Sequence, residues 1–189
     1  MQADALKGGF ADASFQSAKA FRGAMNAMAR PGRIELLDGA RPPAPMSHAA
    51  GALILTLCDP ETPIYLAGMH DCPDVRGWIT FHTGAPISNP ASASFVLGNW
   101  QSLQPLSRFP KGTSEYPDRS ATLIVEMPEL SATGARLSGP GIKDGTGFAL
   151  PEVASFQANA ALYPLGLDFF FTCGFKVAAL PRSTKVEGI

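Results

Sequence analysis

The sequence predicts an α/β fold: a single layered domain with a mixed sheet flanked by helices. Three observations carry this. Segments of helical period alternate with short apolar segments for most of the chain. Residues 120–127 read Ser-Ala-Thr-Leu-Ile-Val-Glu-Met, with little alternation after Thr122, as a strand covered on both faces does. A run at 137–142 then follows closely enough to be its hairpin partner, which makes the sheet mixed. The chain has 189 residues and shows no internal repeat or linker. One domain over 12–185 accounts for it, between a loose N-terminal end at 1–11 and a C-terminal tail at 186–189.

The elements follow in order. Asp12 or Ser14 caps a first helix that runs to about Ala29, and its apolar stripe is Phe15, Ala18, Phe21, Met25 and Met28. Arg30-Pro31-Gly32 stops it, because proline disfavours helical geometry in the residue before it. Residues 33–38 read as a short strand, and the prolines within 39–45 make the next connection stiff. Ser47 caps a second helix ending near Cys58. Its core at 52–57 also suits a buried strand, but a strand already fits at 63–67. Asp71, just before Pro73, opens a third helix with Val75, Trp78, Ile79 and His82 on one face, and Gly84 ends it. A strand at 93–98 and a brief helix at 101–108 come next. Pro151 begins a helix carrying Val153, Phe156, Ala160 and Tyr163 along one side, and Pro164 ends it. Residues 169–180, the most apolar segment, read as one last strand. Its odd-numbered side chains face the core. Its even-numbered ones, from Phe170 to Leu180, suit either a protein interface or cover by a helix of the same chain.

Composition narrows the function classes. Hydrophobic residues make up 46% but charged residues only 16%, against about 25% in typical soluble domains. A charge-poor surface suits contact with another protein. The net charge of −1 gives no footprint for nucleic acid or an anionic membrane. No signal peptide and no bilayer-spanning segment is legible. Cys58, Cys72 and Cys173, odd in number and widely spaced, point to reduced thiols and a cytoplasmic protein.

Motifs for chemistry are sparse. Ser138-Gly-Pro-Gly-Ile-Lys-Asp-Gly-Thr-Gly147 looks like a phosphate loop but fails both templates: Thr146 follows Gly145 with no lysine between them, and Asp144 stands where a dinucleotide loop needs glycine. It reads instead as a turn at Asp144-Gly145. His70, Cys72 and His82 could in principle hold zinc, but a ten-residue helix of about 15 Å separates the first two from the third. No metal is expected. Asp118 and Arg119 enter the buried central strand, and Arg182 and Ser183 follow the last one. Each pair reads as a candidate anion-binding spot at a strand end or as structural. For Arg119 the expectation is an ion pair with a carboxylate; for Arg182 and Ser183 it is a solvated tail.

Several phrases together carry a family resemblance. They are Phe21-Arg22 with Met25, Met28-Ala-Arg-Pro-Gly32, Leu57-Cys-Asp-Pro-Glu-Thr-Pro63, Phe81-His-Thr-Gly84, Tyr116-Pro-Asp-Arg-Ser-Ala-Thr122, Leu137-Ser-Gly-Pro-Gly-Ile142, Pro164-Leu-Gly-Leu-Asp168 and Leu180-Pro-Arg-Ser-Thr184. In order and spacing, over about residues 12–185, they resemble the H subunit of the bacterial carbon–phosphorus lyase system (PhnH). The resemblance implies a non-catalytic subunit in alkylphosphonate breakdown. With G and I subunits it belongs to machinery that exchanges the adenine of ATP for the phosphonate, giving a ribose 1-phosphonate 5-triphosphate; a J subunit then takes part in cleaving the carbon–phosphorus bond. It also implies a fold like the large domain of pyridoxal-phosphate transferases without the cofactor site, and a homodimer when isolated. No catalytic residue and no cofactor carry over. The alternative is a transferase or hydrolase acting alone. A pyridoxal-phosphate enzyme needs a Schiff-base lysine, and Lys7, Lys19, Lys111, Lys143, Lys176 and Lys185 sit in no recognisable cofactor context.

Overall fold

The computed structural model describes residues 6–188. The Asp12 carboxylate accepts from the Phe15 amide and starts a helix at Ala13–Ala29 (α1). Glu35–Leu36 is a two-residue strand (β1), Ser47 caps His48–Leu57 (α2), and Ile64–Leu66 is β2. Pro73–Thr83 (α3) ends at Gly84, whose φ of 72° gives the left-handed turn that glycine adopts freely. Cys72, not Asp71, precedes this helix, and Asp71 instead pairs with Arg76. Then come Phe95–Asn99 (β3), Trp100–Leu103 (α4), Thr122–Glu126 (β4), Ala135–Ser138 (β5), Thr146–Phe148 (β6), Val153–Ala160 (α5), Asp168–Cys173 (β7), Lys176–Leu180 (β8) and Lys185–Glu187 (β9). No helix among the described residues is long and apolar enough to cross a membrane.

The main sheet has six strands in the order β1-β8-β7-β4-β3-β2, and it is mixed, as expected. β2, β3, β4 and β7 are parallel, while β8 returns antiparallel on β7 and β1 on β8. The register aligns Leu97, Ile124 and Phe170 on the face covered by α1, α2 and α3. Val96, Leu123 and Phe169 align on the opposite face, under Trp100 of α4 and Phe156 of α5. Strand β4 is thus covered on both sides, which explains its continuous apolar run. Burying each such large side chain contributes about 1.5–3 kcal/mol relative to leaving it in water.

Several sequence expectations need correction. Residues 169–180 are not one strand but the β7–β8 hairpin, turned at Gly174 with φ of 58°. Both of its faces are covered by the same chain away from the turn, and Phe170 and Leu180 are only 4% and 3% exposed, so the even-numbered side chains that suited an interface are covered from within. The 137–142 run does not pair with β4, whose two edges are already taken by β3 and β7. Its strand β5 lies instead in a separate three-stranded antiparallel sheet, β6-β5-β9. That sheet includes Lys185–Glu187, so the expected tail is strand there, with Val186 buried.

At the other end, the part of the expected loose segment within the described residues is tied down, while residues 1–5 lie outside them. Trp78 Nε1 donates to the Lys7 carbonyl at 2.9 Å, and the Arg41 amide donates to that of Gly8 at 2.7 Å.

The stripe assigned to α1 is also turned. Ala20, Ala24 and Ala27 face the core, which lets the helix approach α2 and β8 closely. Phe15, Phe21 and Met25 are 68%, 50% and 51% exposed.

Candidate functional site

The parallel strands begin at one edge of the main sheet. There the 117–120 loop leads into β4, and a turn closed by the Thr184 amide on the Pro181 carbonyl, at 2.9 Å, leaves β8. Arg182, in that turn, reaches across the strand starts. Its backbone amide donates to Asp168 Oδ1 at 2.8 Å, and its Nε to the two Asp168 oxygens at 3.1 and 3.2 Å. Nη1 donates to the Pro117 carbonyl at 2.6 Å, and Nη2 bonds both Asp168 and the Ser120 hydroxyl. Only 14% of the Arg182 side chain and 22% of the Asp168 side chain are exposed. A planar fork with this many partners fixes three chain segments at once. The segment expected as a solvated tail is therefore a clasp.

Of the other predicted site residues, Asp118 and Arg119 stand apart from the clasp and Ser183 lies in its turn. Arg119 is exposed, with its guanidinium 3.9 Å over the Tyr116 ring and not against a carboxylate. Asp118 is exposed beside it, and Ser183 is half-buried in the clasp turn. Asp118, Arg119 and Ser120, with Ser94, Phe95 and Thr122, line a cavity of about 540 Å³. The structure thus brings Arg182 together with Asp168 and Ser120, which were not nominated as site residues. Both stood in the phrases that carry the family resemblance, so the signal was present.

At the opposite edge, where the parallel strands end, open α/β sheets bind their ligands. Glu126, Asn99 and Thr172 share one register row there. Glu126 Oε1 accepts from the Ser47 amide at 2.7 Å, tethering the start of α2 to β4. Burial pushes the Glu126 carboxyl above its ordinary range, and the Ser47 amide, the Ser47 hydroxyl and the Thr172 hydroxyl pull it partly back. The Asn99 side chain caps α4 by accepting from the Ser102 amide at 2.9 Å. Glu126 and Asn99 are thus spent on holding elements in place, and Thr172 is buried beside them.

The three residues weighed for zinc do separate work. His70 is buried, and that burial favours its neutral form. His82 Nε2 contacts the Leu6 carbonyl at 2.8 Å, and Cys72 stands at the start of α3. Among the described residues no three His, Cys, Asp or Glu side chains gather as a metal site. The Cys58 thiol is pushed up to about 12, chiefly by burial and then by the neighbouring Asp59.

Residues 8–187 match the family described as bacterial phosphonate metabolism protein (PhnH). The chain belongs to the PhnH family. It is 41% identical over 197 residues, covering 98% of each chain, to the alpha-D-ribose 1-methylphosphonate 5-triphosphate synthase subunit PhnH of Rhizobium meliloti strain 1021. It is 27% identical over 177 residues, 89% of this chain and 84% of the relative, to a Stutzerimonas stutzeri protein named "Putative C-P lyase subunit protein HtxG".

The PhnH-family phrases converge in space. Those at 116–122, 164–168 and 180–184 meet in the clasp, where Pro117, Ser120, Asp168 and Arg182 bond one another. Those at 28–32 and 137–142 meet where Gly141 lies against the Ala29 carbonyl; a Cβ on Gly141 would stand 1.9 Å from that oxygen. The resemblance is thus concentrated at points where distant segments of this PhnH-family chain are held together.

Proposed function

We propose that this chain is a non-catalytic subunit of a carbon–phosphorus lyase assembly. In this reading it acts with the G and I subunits to make ribose 1-phosphonate 5-triphosphate from ATP and alkylphosphonate, and joins the J subunit in the larger complex. The observation that carries the proposal is the near-complete, 41% identical match to a synthase subunit.

The structure supports it in two ways. The polar groups at both edges of the main sheet, Arg182 with Asp168 and Glu126 with Ser47, are committed to the fold. The outward side of α1 carries exposed Phe15, Phe21 and Met25, which favours a protein neighbour over open water. A homodimer of the isolated chain, a single folding domain and a cytoplasmic setting belong to the same proposal. So does a likeness to the large domain of pyridoxal-phosphate transferases, which goes beyond the mixed sheet with helices on both faces that the structure has.

The test is reconstitution. Phosphonate and ATP are supplied to the partner subunits with and without this chain, and to this chain alone. The proposal expects triphosphate product only when chain and partners are combined. Turnover by the chain alone, abolished by a point substitution in it, would establish the stand-alone enzyme instead.

A further inference from the structure

The glycine-rich segment at 138–147, set aside in the sequence as a failed phosphate loop, is the connection between β5 and β6 and enters no helix. It therefore lacks the strand-to-helix setting of a nucleotide loop. It does form one wall of a cavity of about 540 Å³ whose other wall is the stop of α1 and the residues after it. Small-molecule sites run from about 300 to 1,000 Å³, so the space exceeds what one phosphate needs.

The lining is basic in a chain that is slightly acidic overall. Arg30, Arg33 and Lys143 line the cavity, with Asp144 as the one acid among the described residues there. Arg33 is paired with Glu35 at 2.8 Å, whereas Arg30 and Lys143 form no ion pair among the described residues. Thr146, Gly141 and Gly145 also line it and carry neutral polar groups. The two walls are pinned together rather than merely adjacent. Gly141 has φ of +81° and abuts the Ala29 carbonyl, while Gly32 has φ of +84° and would bring a Cβ within 2.8 Å of Thr146 Cγ2. The two phrases that build these walls are among those by which the chain resembles its family.

We propose that this cavity binds the polyphosphate arm of a triphosphate ligand, with Arg30 and Lys143 as its principal anchors and the Thr146 hydroxyl as a further donor. Several cations spaced around one cavity match a chain of phosphates better than a single anion. The choice of a triphosphate over another polyanion rests on the subunit reading above.

The experiment is calorimetric titration of the full chain at low salt with inorganic tripolyphosphate, ATP and inorganic phosphate in turn. The variants are Lys143→Gln, the pair Arg30→Ala with Lys143→Gln, and Arg119→Ala, which alters the other cavity. One saturable tripolyphosphate site per chain is expected, with ATP binding comparably and inorganic phosphate more weakly. Each anchor removed should weaken binding at least about tenfold, which is about 1.4 kcal/mol; Arg119→Ala should change nothing.

No saturable tripolyphosphate binding would overturn the proposal. So would unchanged affinity in the paired variant, or a loss that follows Arg119→Ala. Lys143→Gln alone, on an exposed side chain, keeps the test valid if the paired variant folds poorly. Co-purification with the partner subunits separates the two readings. Wild-type chain that joins its partners but binds no tripolyphosphate sinks the site alone. Chain that binds tripolyphosphate but joins no partner sinks the subunit reading and leaves the site.

Discussion

Arg182→Ala should be among the most damaging single substitutions outside the apolar core. It removes the guanidinium from Asp168, from the Pro117 carbonyl and from the Ser120 hydroxyl together. The Asp168 carboxylate then keeps only the backbone amide of residue 182, at 2.8 Å, as a partner from the clasp. Stranding one member of a buried pair costs about 3–5 kcal/mol. With 14% of the Arg182 side chain and 22% of the Asp168 side chain still exposed, water relieves part of this, and about 3 kcal/mol is expected. In a chain of this length that corresponds to a fall of about 6–12 °C in Tm. Arg119→Ala, which loses only an exposed contact with the Tyr116 ring, should cost about 0.5–1 kcal/mol. Urea unfolding of wild type and both variants gives the comparison directly. If Arg182→Ala is no more destabilising than Arg119→Ala, the clasp does not hold the strand starts together and the reasoning fails.

Two other outcomes follow from the packing and the titration of single groups. The Glu126 carboxyl is raised above the ordinary 4.5 by burial, so the folded state holds its proton more tightly than the unfolded state. Its contribution to stability is therefore full below about pH 4.5 and is lost as pH rises through the raised value; Glu126→Gln should remove that part of the decline while keeping an acceptor for the Ser47 amide, and equal slopes in urea titrations of the two proteins would contradict this. Gly141→Ala should destabilise by well over about 1 kcal/mol, because its Cβ would meet the Ala29 carbonyl at 1.9 Å with φ at +81°, whereas Gly174→Ala meets nothing within 4 Å and carries only the backbone penalty of about 1 kcal/mol; similar losses at the two positions would refute the close approach.

Much of the fold was legible because local signals agreed. Asp12, Ser47 and Gly84 begin or end helices where expected, and the apolar 122–126 run is the central strand covered on both faces. The misreadings came where tertiary pairing overrode a local pattern. A run from 169 to 180 looks like one strand unless Gly174 is given a positive φ, and alternation says nothing about which strand edge is free. The α1 stripe misled because helical spacing marks a face without saying which face is inside; three small alanines won the core because they let the helix sit close to α2 and β8.

The site was harder to read. Arg182 was singled out, but its partners Asp168 and Ser120 lie 14 and 62 residues away in sequence. Arg119 drew the ion-pair expectation because it borders the central strand, although its side chain turns to Tyr116. The basic cavity was invisible because it joins the end of the first helix to a loop more than a hundred residues later.

The central claim, that this chain works as a subunit, is tested most directly by co-expressing the tagged full-length chain with the G, I and J subunits and measuring the mass of what it carries through size-exclusion chromatography with light scattering. A single peak holding this chain and its partners in fixed ratio is the predicted result. A chain that elutes alone as a monomer while the other subunits assemble without it would contradict the account.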